Sequence, residues 1–330
     1  MALPQPVRDA NDWIAADFPK PRGWARALTP AMLAEIEDAA RRMIAAGTPF
    51  WQIRPEDVPL PLTEPFLAQV FDDLESGTGF SVLSGLPAER FDRDGNAVLF
   101  AVVGCHLGRV VDQTVSRKKM EDIVDRGLPM NHQHRGYMGT HALAFHTDGS
   151  DFAVLYCLGE AAEGGHSVIV SVTSVFNAIL RERPDVMETL LRGFHHHRRG
   201  EQPAGEAPYT ERIPVFAVHD GLVHCCYNRN PVSWMDSVGL SYAPHEIEAL
   251  DYLDATIARP DMQLHMGLQT GDMQFINNYN ILHGRTAYRD GPGKKRHLLR
   301  LWLANPRCRR AGDNIIDLYA PWESRPRRAA

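Results

Sequence analysis

The segment Ala144-Phe145-His146-Thr147-Asp148 sets an imidazole and a carboxylate two residues apart. On a strand, residues at that spacing leave from one face, so His146 and Asp148 project side by side. Such a pair suits a divalent transition metal, although two ligands do not hold one tightly. A third is offered by Asn277-Asn278-Tyr279-Asn280-Ile281-Leu282-His283-Gly284-Arg285, in which His283 is expected just after a strand. Two histidines and a carboxylate on adjoining strands make the facial set of non-haem Fe(II) oxygenases, with coordination positions left open on the far side. Taken alone, His-x-Asp is as readily a hydrogen-bonded pair within a strand.

The last apolar run, Arg296-His297-Leu298-Leu299-Arg300-Leu301-Trp302-Leu303, sorts by parity. Leu299, Leu301 and Leu303 suit a packed outer face, which turns Arg296, Leu298, Arg300 and Trp302 inward. Two inward arginines are costly unless each meets an anion. A planar guanidinium binds a carboxylate through two parallel bonds, which suits a dicarboxylate; a pair of structural salt bridges is the alternative.

These residues need a frame to hold them. Short strands are expected at Gly79–Gly85, Ala142–Asp148, Phe152–Leu158, Ser167–Ser171, Asp272–Ile276 and His297–Leu303, separated by turn signals. Helices are expected at Ala31–Ala46, with Thr29 as N-cap and Pro30 in its first turn, and at Phe66–Leu74, Asn96–Leu107, Val175–Arg183 and Pro244–Ala258. Thr48–Pro65 is Pro-rich and reads as extended. The pattern describes a mainly β protein, an antiparallel barrel or sandwich with flanking helices. It reads as a single domain over 1–330, with a helical N-terminal extension (1–76), a core (77–303) and a basic, frayed C-terminal tail (304–330).

Composition limits the partners. Lys and Arg number 35 against 41 Asp and Glu, and the resulting net charge of −6 gives no reason to expect nucleic acid or a membrane surface. No apolar run approaches the roughly 20 residues of a membrane helix, and Met1–Lys20 lacks the apolar stretch of a signal peptide. The five cysteines are odd in number without CxxC spacing, so reduced thiols in a cytoplasmic protein are expected. A small-molecule substrate is the expected partner, and a homo-oligomer is compatible with the sequence.

The matching pieces resemble the Fe(II)/2-oxoglutarate-dependent dioxygenases of the TauD/TfdA-like superfamily (taurine dioxygenase and clavaminate synthase-like). They are Gly79-Phe80 to Leu86-Pro87, Phe145-His146-Thr147-Asp148, Gly164-Gly165-His166-Ser167, and His283-Gly284-Arg285-Thr286 followed by Arg296 and Arg300. The resemblance implies a double-stranded β-helix (jelly-roll) core with His146, Asp148 and His283 as iron ligands. It implies that Arg296 and the hydroxyl of Ser167 take the distal carboxylate of the 2-oxoglutarate cosubstrate, and that Arg300 lies nearer the primary substrate. The resemblance further implies that, with O₂, 2-oxoglutarate is converted to succinate and CO₂ while a small organic molecule, anionic, amino-acid-derived or a secondary metabolite, is hydroxylated or desaturated. Related halogenases lack the carboxylate ligand, so Asp148 speaks for hydroxylation or desaturation. The alternatives are a non-catalytic jelly roll that binds a metal or small anion, and a Zn-dependent hydrolase using the same ligands.

Other polar clusters receive plainer readings. His195-His196-His197-Arg198-Arg199 is expected in a solvated loop, with the mouth of the active site as the alternative. The polar run from His132 to Tyr137 is either a lid or a surface loop, and Gln113 and Asn131 carry no decisive signal. Asn277 and Asn278 either line the pocket or satisfy backbone groups. Tyr227 and Trp234 are expected in the core, with a substrate wall as the alternative.

Overall fold

The computed structural model describes residues 3–114, 116–128, 136–202 and 204–309. The run 129–135, with Asn131 and most of the expected lid, lies outside the described residues, as does the tail from 310 onward.

Local chemistry starts the helices where caps are available. The Thr29 hydroxyl accepts from the Met32 amide, Pro30 occupies the first turn, and α1 (Pro30–Ala45) buries Ile36, Ala39 and Ala40 on one stripe. α2 (Glu64–Glu75) buries Leu67, Val70 and Leu74. α3 (Arg93–Gly104) begins three residues ahead of the expected Asn96, because the Asp92 carboxylate caps it by accepting from the Gly95 amide at 2.7 Å. The Pro-rich stretch before α2 is not extended throughout. It folds into 3₁₀ turns at Phe50–Gln52 and Pro55–Asp57, the second closed by the Asp57 carboxylate on the Arg54 amide.

The strands form two main sheets. The larger runs β1 (Ala25–Ala27), β2 (Phe80–Ser84), β12 (Met273–Asn277), β6 (Phe152–Gly159), β15 (His297–Ala304), β3 (Arg109–Val110), and β4 (Met120–Ile123) also pairs with β15. The smaller runs β11 (Leu264–Met266), β8 (Ser167–Ser171), β13 (Ile281–Arg285), β5 (Leu143–His146). Only β1 and β2 pair in parallel within these sheets; the other pairings are antiparallel. Two short ribbons, β7 (Glu163–Gly164) with β14 (Tyr288–Arg289) and β9 (Phe216–His219) with β10 (Leu222–Cys225), lie beside them. In the second, Asp220 and Gly221 both take positive φ, the mirror-image turn that matches strand twist.

Three apolar layers hold this together. Leu299, Leu301 and Leu303 of β15 pack with Phe152, Val154 and Tyr156 of β6 against α1, α2 and α3. On the other side, α4 (Val172–Glu182), α5 (Pro184–Arg192), α6 (Arg229–Ser233) and α7 (Pro244–Ile257) share a core with β8, β9, β10 and β13. Between the sheets lie Val82, Ala153, Ile169, Met266, Ile276, Ile281 and Trp302. The parity of the last strand therefore holds: odd leucines face the helices, and the even residue Trp302 faces the interior. The result is a jelly roll with helices on both outer faces. Among the described residues no helix is long and apolar enough to cross a membrane.

Three local expectations are corrected. His283 lies in the middle of β13 rather than after a strand, because Asn278-Tyr279-Asn280 turns the chain between β12 and β13. Strand β5 ends at His146, so Asp148 stands in the turn that follows. The triple histidine is not a solvated loop: bridges Phe194–Ile213 and His197–Tyr209 fold the segment into a ladder, and alternation buries Phe194 and His196, the latter 1% exposed.

Candidate active site

β5 and β13 are neighbours, and His146 and His283 are paired directly across them. Side chains of directly opposed residues share a face, so the two imidazoles meet, with ring centroids 4.3 Å apart. The close approach depends on Gly284, whose Cβ would fall 2.7 Å from the Leu143 carbonyl oxygen. Asp148 is brought to the pair by its backbone: its amide donates to Asn278 Oδ1 at 3.1 Å, and the preceding Thr147 amide donates to the Tyr227 carbonyl at 2.8 Å. Asn278 and Tyr227, both buried, are thus supports of the turn rather than pocket walls.

Asp148 Oδ1 lies 3.7 Å from His146 Nε2, and Oδ2 lies 3.7 Å from His283 Nε2. One ligand atom from each residue falls within 4.8 Å of the others, the arrangement a metal ion would need. His146 Nδ1 sits 2.9 Å from the Ala144 carbonyl, so it carries the hydrogen and Nε2 keeps its lone pair for the cluster. Burial, reinforced by His283, pushes the His146 ring down to about 4, which keeps it neutral and ligand-competent at physiological pH. Burial works against ionisation of Asp148, but the Arg300 guanidinium and the two histidines hold its carboxyl well below the usual range.

The inward arginines do different things. Arg300 Nη1 donates to Asp148 Oδ2 at 3.2 Å, its Nε donates to Gln113 Oε1 at 2.8 Å, and Gln113 returns a bond to the Arg300 carbonyl at 2.8 Å. Trp302 Nε1 donates to the same Asp148 Oδ2 at 2.9 Å. Arg300 therefore borders the cavity over the triad, but its charge is met by Asp148. Trp302 has no motif signal beyond sharing parity with Arg300, and Gln113 shows its role only through the fold.

Arg296 comes four residues earlier in the chain, just ahead of β15. It borders a cavity of about 310 Å³ lined also by Gly164, Gly165, Leu268 and Leu298. Its Nε donates to the Gly165 carbonyl at 3.2 Å, while its buried Nη1 has no partner. A Cβ on Gly165, where φ is +73°, would lie 2.8 Å from Arg296 Cδ and Nε, so only glycine admits this guanidinium. Tyr288 lies beneath Arg285 and Arg296, with guanidinium carbons 4.6 and 5.3 Å from its ring centre. Its hydroxyl, and Nε and Nη1 of Arg285, are likewise buried without hydrogen-bond partners. Burial, then Arg285, draws Arg296 down to about 10. Buried guanidiniums with unmet donors fit an incoming carboxylate, as a dicarboxylate cosubstrate would provide. Ser167 is buried on β8 with its hydroxyl donating to Gln274 Oε1 at 2.8 Å, and it does not line this cavity.

The chain is similar to known proteins over most of its length. Residues 44–302 match the family "Taurine catabolism dioxygenase TauD, TfdA family". FR-33289 synthase of Streptomyces rubellomurinus is 32% identical over 309 residues, covering 91% of each chain. Taurine hydroxylase-like protein SAT17 of Stachybotrys chartarum is 30% identical over 310 residues, covering 89% of this chain and 79% of its own. Asparagine oxygenase, solved with Fe(II), 3-hydroxyasparagine and succinate, superposes with a TM-score of 0.64 at 19% identity, over 85% of this chain and 93% of its own. The non-haem iron oxygenase OrfP, solved with Fe and alpha-ketoglutaric acid, has a TM-score of 0.64 at 17% identity, over 85% and 94%. The chain belongs to the TauD/TfdA family and is an Fe(II)/2-oxoglutarate-dependent dioxygenase.

Proposed function

We propose that His146, Asp148 and His283 hold the Fe(II) of this enzyme, that Arg296 anchors the distal carboxylate of 2-oxoglutarate, and that the reaction hydroxylates or desaturates a small amino-acid-derived molecule or secondary metabolite. The observation that carries the assignment is the convergence of two imidazole nitrogens and one carboxylate, all within 4.8 Å of one another. Iron with 2-oxoglutarate and O₂ supplies the oxidising power for C–H cleavage, and the cosubstrate leaves as succinate and CO₂.

The chain's own residues position and insulate. Arg300 and Trp302 pin Asp148 Oδ2, which leaves Oδ1 beside His146 for the metal. Arg296, stacked near Tyr288 and seated on Gly165, offers its free donors to the cosubstrate's far end. Ser167, two residues beyond Gly165, is its companion hydroxyl once turned from Gln274. The apolar layer between the sheets keeps bulk water from the reacting centre. The substrate enters over the triad, where Tyr137, Asn228, Asn230 and the edge of Arg300 border the cavity. All five cysteines are free thiols, which supports placing the enzyme in the cytoplasm.

The test is succinate formation from 2-oxoglutarate with Fe(II) and O₂, compared between the parent and His146→Ala. Loss of turnover and of metal in the variant is expected; equal turnover in both would remove His146 from the metal site.

A further inference from the structure

Arg199, Arg285, Arg296 and Arg300 lie in or beside the two cavities, and their charges are not met alike. Arg300 is paired with Asp148. Arg285 and Arg296 share Tyr288 at the cosubstrate end. Arg199 borders the triad cavity itself, together with Asn228 and Asn230. Asp148 is the only carboxylate among the described residues lining that cavity, and Arg300 and Trp302 already occupy its Oδ2.

Arg199 is held in place with care. Its backbone takes φ of +59°, a left-handed conformation that side chains other than glycine and asparagine rarely adopt and that tends to occur at ligand clamps. Its amide donates to His197 Nδ1 at 2.9 Å, and the His197 amide donates to the Pro231 carbonyl at 3.0 Å, which docks the segment on α6. The guanidinium carbon lies 4.5 Å over the Trp234 ring, so Trp234 is a platform for this cation. Arg199 Nε is buried and has no hydrogen-bond partner. No carboxylate among the described residues pairs with it. A positioned guanidinium with an unmet buried donor, facing a cavity with polar amides, is a receptor for an acceptor that the described residues do not provide.

We infer that Arg199 seats an oxyanionic group of the primary substrate, a carboxylate or a phosphorus oxyacid, beside the metal triad. This rests on the oxygenase reading above and moves the main charge contact with substrate from Arg300 to Arg199. Asn228 and Asn230 supply neutral hydrogen-bonding groups around the same molecule.

The experiment uses the full chain loaded with Fe(II) and 2-oxoglutarate under anaerobic conditions. Propylphosphonate, butyrate and the uncharged butyramide are titrated while the Fe(II)–2-oxoglutarate charge-transfer band is followed. The parent is expected to bind at least one anion at least tenfold more tightly than butyramide. Arg199→Gln should lose that preference, with 2-oxoglutarate affinity kept within about twofold, and Arg199→Lys should retain it in part. Preference for propylphosphonate assigns a phosphorus oxyacid, and preference for butyrate a carboxylate. No anion preference in the parent, or an undiminished one in Arg199→Gln, overturns the inference. Failure of the parent to bind 2-oxoglutarate with Fe(II) would instead overturn the oxygenase assignment beneath it. If Arg199→Gln does not fold, Arg199→Lys decides: parental anion affinity in it refutes the need for the planar, stacked guanidinium.

Discussion

Trp302 is the residue through which the proposed metal site can be perturbed without touching His146, Asp148 or His283. Its indole nitrogen donates to Asp148 Oδ2 at 2.9 Å, and the side chain is 1% exposed in the layer between the sheets. Trp302→Phe keeps an aromatic ring in that layer and deletes one donor to a buried carboxylate. A hydrogen bond to a charged group contributes about 1.5–3 kcal/mol. The smaller ring also leaves roughly 40 Å³ unfilled, which at about 24 cal/mol per Å³ adds about 1 kcal/mol. Urea unfolding of the metal-free protein should therefore show a loss of about 2.5–4 kcal/mol. With Asp148 held by Arg300 alone, divalent metal should bind about 10–100-fold more weakly, as expected when an outer partner of a ligand is removed. The assay is anaerobic Mn(II) or Fe(II) titration alongside the unfolding curves. Parental metal affinity and an unchanged unfolding midpoint in Trp302→Phe would refute the idea that Trp302 fixes the carboxylate.

Arg296→Ala should weaken 2-oxoglutarate binding by about 10–150-fold, the equivalent of one charge-assisted contact, with Fe(II) affinity preserved; calorimetric titration of the metal-loaded protein measures both. Gly165→Ala should reproduce much of that defect, because its methyl group would occupy the place of Arg296 Cδ and Nε; a parental KM for 2-oxoglutarate would show that Arg296 has another seat. His196 gives the pH prediction. Burial depresses its folded pKa to about 3, below the 6.5 of the unfolded chain, so the unfolded state binds the extra proton between those values. Its share of stability is complete above pH 6.5 and declines as pH falls toward 3, by roughly 2 kcal/mol at pH 5. In His196→Leu the midpoint of urea unfolding should fall less steeply from pH 7 to pH 5, and parallel curves would show that His196 is not buried neutral.

What could be read in the linear chain was what repeats locally. Thr29-Pro30 marks a helix start by cap chemistry, and the alternation from Leu298 to Leu303 marks a two-sided strand by its period. His146 and Asp148 were legible as a pair because they lie two positions apart. The supports of that pair were not, since Trp302, Asn278 and Tyr227 reach Asp148 and its turn across 154, 130 and 80 residues of chain. The histidine run misled for a related reason. Its polarity suits a solvated loop, but pairing with Tyr209 and Ile213 sets the alternation that buries His196. Arg199 was legible only as the end of a run that could border the active-site mouth, because its seat depends on Trp234 lying beneath it.

The alternation along β15 also bears on which length changes the gene can accept. Leucines that grip the helices and side chains that reach Asp148 are interleaved on one eight-residue strand. An insertion or deletion of one residue within it would exchange the two sets, sending Trp302 toward α3 and a leucine toward Asp148, so stability and activity would fail together. The turn Asp290-Gly291-Pro292-Gly293 just upstream lies outside this frame and is largely exposed, and the Gly291–Lys294 bridge closes it. Changes in length among descendants of this chain should gather there, and the strand itself should vary only by substitution.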